Sequence, residues 1–325
     1  MRPFELARPD SLAGAMAAVQ APGAMYVAGG TTIVDLVRAG AERPSRLVDI
    51  NRIPGLVGVA RTEGGFRIGA LARMADVAAD ETVAAAMPAV VQSLRLAAST
   101  QIRNMASIGG NLLQRTRCPY FRKPDHGCNK RTPGSGCAAA EGDDKAAAIF
   151  GASGACRAVY PGDLAIALIA FDAELEIASA EGEMRLMPLA DLHRLPGEAP
   201  HLDTTLAAGD LITALRIPAS ASARRSVYCK VRDRASYEFA LVSVAAGLDV
   251  DGSGLIRDAR LAAGGVGTVP WRLTEAEQAL IGTEHGTQAW ARAADLAVRD
   301  AVPGRQNAYK VDLLKRTLVA VLRNL

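Results

Sequence analysis

The chain has 325 residues, 50% of them hydrophobic and only 4% aromatic, enough to bury more than one core, so two or three domains are expected. A formal charge of +3 is too small to mark a nucleic-acid interface, and no aromatic–basic interleaving or Cys/His finger accompanies it. No apolar run approaches the length of a membrane span, so a soluble protein is expected.

From the N-terminus, Ser11 reads as the cap of a short amphipathic helix reaching Val19. Met25-Tyr26-Val27-Ala28 is an apolar strand that runs through Gly29-Gly30-Thr31-Thr32 into a helix start at Ile33. In that order, two glycines let a ligand approach the backbone, Thr31 and Thr32 can cap the helix, and free amides at its start can seat a phosphate. A plain turn joining strand to helix gives the same pattern. Arg46–Ile50 is a second strand, and Leu56–Ala60 with Phe66–Ile68 form a hairpin around Glu63-Gly64-Gly65. Helices follow near Met74–Ala79 and twice more between Glu81 and Ala98.

The passage Gln101–Asp163 holds four of the five cysteines, at 118, 128, 137 and 156, among Pro, Gly, Arg and Lys rather than in apolar runs. It opens on Ser107-Ile108-Gly109-Gly110-Asn111 and closes on Tyr160-Pro161-Gly162-Asp163. Glycine and proline at this density predict loops with free backbone amides. Four thiolates on such a framework suit an iron–sulfur cluster, whose sulfurs need hydrogen-bond donors. Other readings stay open from residues alone. Zinc usually takes a tight Cys-x-x-Cys knuckle, absent here; disulfides need an oxidising compartment, and Met1-Arg2-Pro3-Phe4-Glu5 lacks a signal core; unrelated buried cysteines are the third.

Beyond Asp163 the pattern predicts a helix over Leu164–Phe171, a hairpin from Ala173–Ala178 and Glu183–Met187, and a strand Leu211–Pro218 stopped by proline. Ala219–Ala223 is small, polar and featureless, which places a domain boundary there. Strands at Val227–Val231, Leu241–Val250 and Ile256–Ala263 precede helices near Leu273–Leu280, Gln288–Val298 and Lys310–Leu322. Alternating strands and helices give an α/β or α+β class. Cys229 reads as an ordinary buried strand cysteine. Lys230 and Tyr237 are possible ligand contacts, with exposed surface positions the plainer reading.

Taken together, Tyr26-Val27-Ala28-Gly29-Gly30-Thr31-Thr32, Ile102-Arg103-Asn104-Met105-Ala106-Ser107-Ile108-Gly109-Gly110-Asn111 and Pro161-Gly162-Asp163-Leu164 resemble the FAD-binding medium subunit of the xanthine dehydrogenase, or molybdenum hydroxylase, family. The resemblance covers essentially the whole chain. Most members pass almost directly from the Gly-Gly-Asn motif to the Asp-Leu motif, whereas here a cysteine-bearing insertion intervenes. That insertion is similar to two branches, the beta subunit of 4-hydroxybenzoyl-coenzyme A reductase and the FAD subunit of periplasmic aldehyde oxidoreductases. Intervals of nine, eight and eighteen residues between cysteines look like the aldehyde branch.

The resemblance implies an α+β fold with a two-lobed FAD-binding domain over 1–218, lobes 1–55 and 56–218. It places a cluster insertion at 115–158 and a C-terminal α/β domain over 224–325. It implies FAD, with Tyr26, Val27, Ala28, Gly29, Gly30, Thr31, Thr32 and Ile33 around the pyrophosphate and Ser107, Ile108, Gly109, Gly110 and Asn111 as a second glycine turn. Asp163 would lie near the ribityl or ribose hydroxyls, and Ile212 and Lys230 along the flavin ring. A [4Fe–4S] cluster would be held by Cys118, Cys128, Cys137 and Cys156. Implied partners are a large subunit with the molybdenum cofactor and a small [2Fe–2S] subunit, with no nucleic acid and no membrane span. The implied role is to pass electrons from the partner clusters to an external acceptor, with no catalytic residue and no aldehyde oxidation by this chain alone. The expected location is cytoplasmic, or periplasmic if exported folded beside a signal-bearing partner. Rival expectations are a free-standing flavoenzyme and a zinc-stabilised scaffold.

Overall fold

The computed structural model describes residues 2–325, arranged as three sheets with helices between and behind them. The first sheet comprises β1 (Glu5–Ala7), β2 (Ala24–Val27) and β3 (Arg46–Asp49), paired in parallel in the order β1-β3-β2. Parallel neighbours need crossovers, supplied by helices Leu12–Val19 and Ile33–Ala39. Ser11 caps the first, its hydroxyl accepting from the Gly14 amide at 3.2 Å, as the sequence predicts.

The second sheet is antiparallel: β4 (Val59–Thr62), β5 (Gly65–Gly69), β6 (Glu174–Ala178), β7 (Met184–Pro188) and β8 (Leu211–Pro218), in the order β4-β5-β8-β6-β7. Between β5 and β6 the chain leaves for several helices and the cysteine passage. It returns through helix Leu164–Ala170, every residue of which is buried. This helix and helix Pro88–Leu96 lie in one apolar core with the inner face of the sheet.

The third sheet is antiparallel, β9 (Ser226–Val231), β10 (Val242–Val250), β11 (Ile256–Gly264) and β12 (Trp271–Arg272), in the order β12-β11-β10-β9. Both faces are covered. Val242, Val244, Ala246 and Leu248 of β10 pack with helices Thr274–Leu280, Thr287–Ala297 and Tyr309–Arg323, whereas Ala245 faces the core shared with helix Leu164–Ala170. Residues alternate across a strand, so one strand serves two cores.

Two expectations are corrected here. The featureless stretch at 219–223 is structured: the Ser220 hydroxyl accepts from the Ala223 amide at 3.0 Å and caps helix Ala221–Arg224. Ser222 and Ala223 are buried, with the Ser222 hydroxyl donating to Asp258 at 2.7 Å; small side chains let the segment pack tightly against β10 at Gly247. The cysteine passage contains short helices, Ile108–Leu112 and Pro119–Arg122, and a 3₁₀ turn at Ala138–Ala140. Its far end is anchored to the C-terminal part, where the buried Asp144 carboxylate accepts from the amides of Arg305 at 2.9 Å and Gln306 at 3.0 Å. Among the described residues, no helix is long and apolar enough to cross a membrane.

Candidate functional site

The strand–turn–helix of β2 and helix Ile33–Ala39 forms one wall of a groove of about 340 Å³, lined by every residue from Tyr26 to Ile33. Gly29 permits a close approach: a Cβ there would collide with the Met105 carbonyl oxygen. Gly30 has φ +71°, the left-handed region that glycine occupies without strain. Thr32 begins the helix without a side-chain cap, so the expected threonine capping does not occur. Thr31 and Thr32 instead line the groove.

The second glycine motif faces the same groove through Ser107, Gly109 and Gly110. It is a helix start rather than a turn, with the Ser107 hydroxyl accepting from the Gly110 amide at 3.3 Å. Helical periodicity therefore divides the motif. Ile108 is buried in the core, and Asn111 donates to Met74 Sδ at 3.3 Å, away from the groove lining. Gly109 packs on Ala70, with no room for a Cβ, which would lie 2.9 Å from the Ala70 Cβ. Ile212, buried on β8, completes the wall. The Tyr26 hydroxyl donates to the Gly209 carbonyl at 2.9 Å and ties the first sheet to the turn before β8; burial, then Asp210, pushes its pKa up to about 12.

Asp163 and Lys230 are placed elsewhere. Asp163 lines a second cavity, and its carboxylate accepts from Lys230 Nζ at 2.7 Å and from the Tyr228 hydroxyl at 2.7 Å. Burial pushes the Asp163 carboxyl up, and the Lys230 charge and hydrogen bond oppose that. The plainer reading of Lys230 as a surface residue is overturned, because its side chain is 1% exposed. Tyr237 is exposed, as expected.

The second cavity, about 160 Å³, is lined by Cys118, Cys128, Cys137 and Cys156. All are free thiols, as is Cys229, which is half-buried on β9. Cys128 and Cys137 face each other across an isolated antiparallel bridge. The Ala158 amide donates to Cys156 Sγ at 3.5 Å. Burial pushes the Cys118 thiol up and takes Cys156 up to about 11, with the neighbouring thiols adding to each rise. Among the described residues, no group of three or more His, Cys, Asp or Glu side chains is arranged to hold a metal ion.

Arg117 and Lys130 also line this cavity. Arg117 pairs with Asp35 at 3.4 Å and lies 5.0 Å from the Phe239 ring centroid. Lys130 donates to the Pro200 carbonyl at 2.8 Å and pairs with Asp203. Asp35, Asp203 and Phe239 carry no local sequence signal, since each contact joins residues far apart in the chain.

The chain matches two family descriptions: FAD binding domain in molybdopterin dehydrogenase over residues 2–220, and CO dehydrogenase flavoprotein C-terminal domain over residues 226–325. It is 44% identical over 324 residues to the aldehyde oxidoreductase FAD-binding subunit PaoB of Escherichia coli, covering 99% of this chain and 98% of that one. It is 27% identical over 256 residues to the glyceraldehyde dehydrogenase medium chain of Sulfolobus acidocaldarius, covering 79% and 73%. A crystal structure of the Cu,Mo-CO dehydrogenase shares the fold at a TM-score of 0.77 and 24% identity, over 100% of this chain and 98% of that one. This chain belongs to the FAD-binding medium subunits of the molybdenum hydroxylase family and is a subunit of an oxidoreductase complex.

Proposed function

We propose that this chain is the FAD- and [4Fe–4S]-containing electron-transfer subunit of a heterotrimeric molybdenum aldehyde oxidoreductase. Its partners would be a large molybdenum-cofactor subunit and a small [2Fe–2S] subunit, from which it takes electrons for an external acceptor. The observation that carries this reading is the meeting of four cysteines, spread over residues 118–156, around one cavity beside a groove lined by both glycine motifs. The 44% identity to an aldehyde oxidoreductase FAD-binding subunit favours the aldehyde branch.

Gly29, Gly30, Thr31, Gly109 and Gly110 would hold the dinucleotide by close backbone approach, with Ile212 as an apolar wall. Asp163 lines the cysteine cavity rather than this groove, and its carboxylate is held by Lys230 and Tyr228. Bound FAD supplies the junction between one-electron and two-electron carriers, and an iron–sulfur cluster supplies one-electron storage. Four cysteines on one cavity would supply the four thiolates of a [4Fe–4S] cluster, and the Ala158 amide offers one of the hydrogen bonds that such sulfurs use. We assign 1–218, with its insertion 115–158, to the FAD-binding domain and 224–325 to the C-terminal domain. The location is cytoplasmic, or periplasmic if the chain is exported folded with a signal-bearing partner.

Anaerobic purification of the full chain, with flavin and metal analysis, tests the reading. FAD, iron and sulfide are expected, with no aldehyde oxidation until the partner subunits are added. A colourless chain carrying zinc, or aldehyde oxidation by the lone chain, overturns it.

A further inference from the structure

The cysteine passage is fastened to the helix that leaves the first glycine motif. Leu36, on helix Ile33–Ala39, lines the groove and is only 1% exposed. It shares a small apolar cluster with Ala41, Phe121 and Cys128, against which Cys118 packs. On the same helix, Asp35 accepts from Arg122 at 2.6 Å and pairs with Arg117, the residue before Cys118.

A second connection runs through charges. Arg115 and Glu42 both line the groove and pair with each other. Arg115 also pairs with one oxygen of Asp203, whose other oxygen pairs with Lys130 on the cysteine cavity. The Arg115 guanidinium lies 4.9 Å from the centroid of the Phe121 ring, so the two connections touch.

Two sites are coupled when they share an element whose order both ligands favour. Here that element is helix Ile33–Ala39, whose seven residues are too few to hold a helix without tertiary support. Its support comes from Phe121, Arg117 and Arg122, in a passage with little regular structure of its own. A metal centre orders such a passage because its binding free energy is also folding free energy.

We infer that the cysteine centre and the FAD groove are energetically linked through Asp35, the Leu36–Phe121 contact and the Arg115–Asp203–Lys130 chain. A filled centre tightens FAD binding, and FAD stabilises the centre reciprocally. This rests on the assignment of both sites made above. Asp35 and Asp203 act as positioning residues, since neither lines either site.

The full chain, reconstituted with iron and sulfide, is titrated with FAD by flavin fluorescence, and again after the centre is stripped with an oxidant and chelator. Stripping should weaken FAD binding about tenfold, within the usual range for coupled sites. In Asp203→Asn and in Asp35→Asn the difference between the two states should shrink to about twofold or less, while Asp35→Glu retains it. A merely structural role would weaken FAD binding in both states alike and leave their ratio unchanged, which would overturn the linkage. Should Asp35→Asn fail to fold, Asp203→Asn gives the same reading. A native chain that binds iron and FAD with equal FAD affinity in both states overturns the linkage alone. A chain that takes up no iron overturns the cysteine assignment and the linkage with it.

Discussion

Asp163 and Lys230 lie 67 residues apart in the chain and meet at 2.7 Å, with side chains 6% and 1% exposed. Lys230 also reaches the Leu96 carbonyl at 3.3 Å, and Asp163 holds the Tyr228 hydroxyl. The cluster joins the start of helix Leu164–Ala170, strand β9 and the end of helix Pro88–Leu96. It pins β9 to these two helices, together with Arg232, which donates to the same Leu96 carbonyl at 3.2 Å.

Breaking that pair leaves a buried carboxylate without its cation, a situation that costs about 3–5 kcal/mol. Lys230→Met should lower the free energy of urea unfolding by that amount. Adding Asp163→Asn should recover a large part of it, because the uncompensated charge is then gone. A loss of less than about 1 kcal/mol in the single variant would show that the pair is not what holds the junction.

The first glycine motif makes a different prediction, about binding rather than stability. A Cβ at Gly29 meets the Met105 carbonyl, so Gly29→Ala must move the loop. Gly30→Val places a β-branched residue at φ +71°, with its Cβ 3.2 Å from Val34 Cγ2. The Gly30→Val strain is on the order of 1–3 kcal/mol, below the stability of a typical domain, whereas the Gly29→Ala clash is with backbone and shifts the loop itself. Gly30→Val should therefore fold, with a native circular dichroism spectrum, yet purify without flavin. A full complement of FAD in that variant would remove this loop from the dinucleotide site.

Much of the fold was legible because local pattern and tertiary role agree. The strand Leu211–Pro218 and the helix Met74–Ala79 have the boundaries that their patterns predict. The burial of Lys230 was not legible locally, because it follows from β9 meeting helix Pro88–Leu96 in a sheet covered on both sides. Asn111 lies off the groove lining because Ser107 starts a helix, which turns Asn111 toward Met74. The four cysteines could be grouped from their setting alone. The charges that support them could not, since Asp35 and Asp203 resemble any solvated acid until the chain folds.

Lys310 carries the last prediction. It is 1% exposed, and its Nζ donates to the carbonyls of Ala146 at 3.1 Å, Ala147 at 2.9 Å and Gly265 at 2.7 Å. Burial lowers its pKa to about 8, against about 10.4 for a free lysine. Below pH 8 the amine is protonated in both the folded and unfolded chain, and the native state bears the full cost of the buried charge. Between about pH 8 and 10.4 the unfolded chain holds a proton that the folded chain has released, so stability contributed at this position rises with pH. Lys310→Met removes that titration and leaves the Ala146 and Gly265 carbonyls without the lysine, at about 1–3 kcal/mol each, while Asn307 still serves Ala147. The stability gap between native chain and variant should therefore widen by about 2 kcal/mol from pH 7 to about pH 9.5, with titrations common to both cancelling. Urea unfolding at the two pH values measures it, and a gap that stays constant or narrows would mean that Lys310 keeps an ordinary pKa in the folded protein.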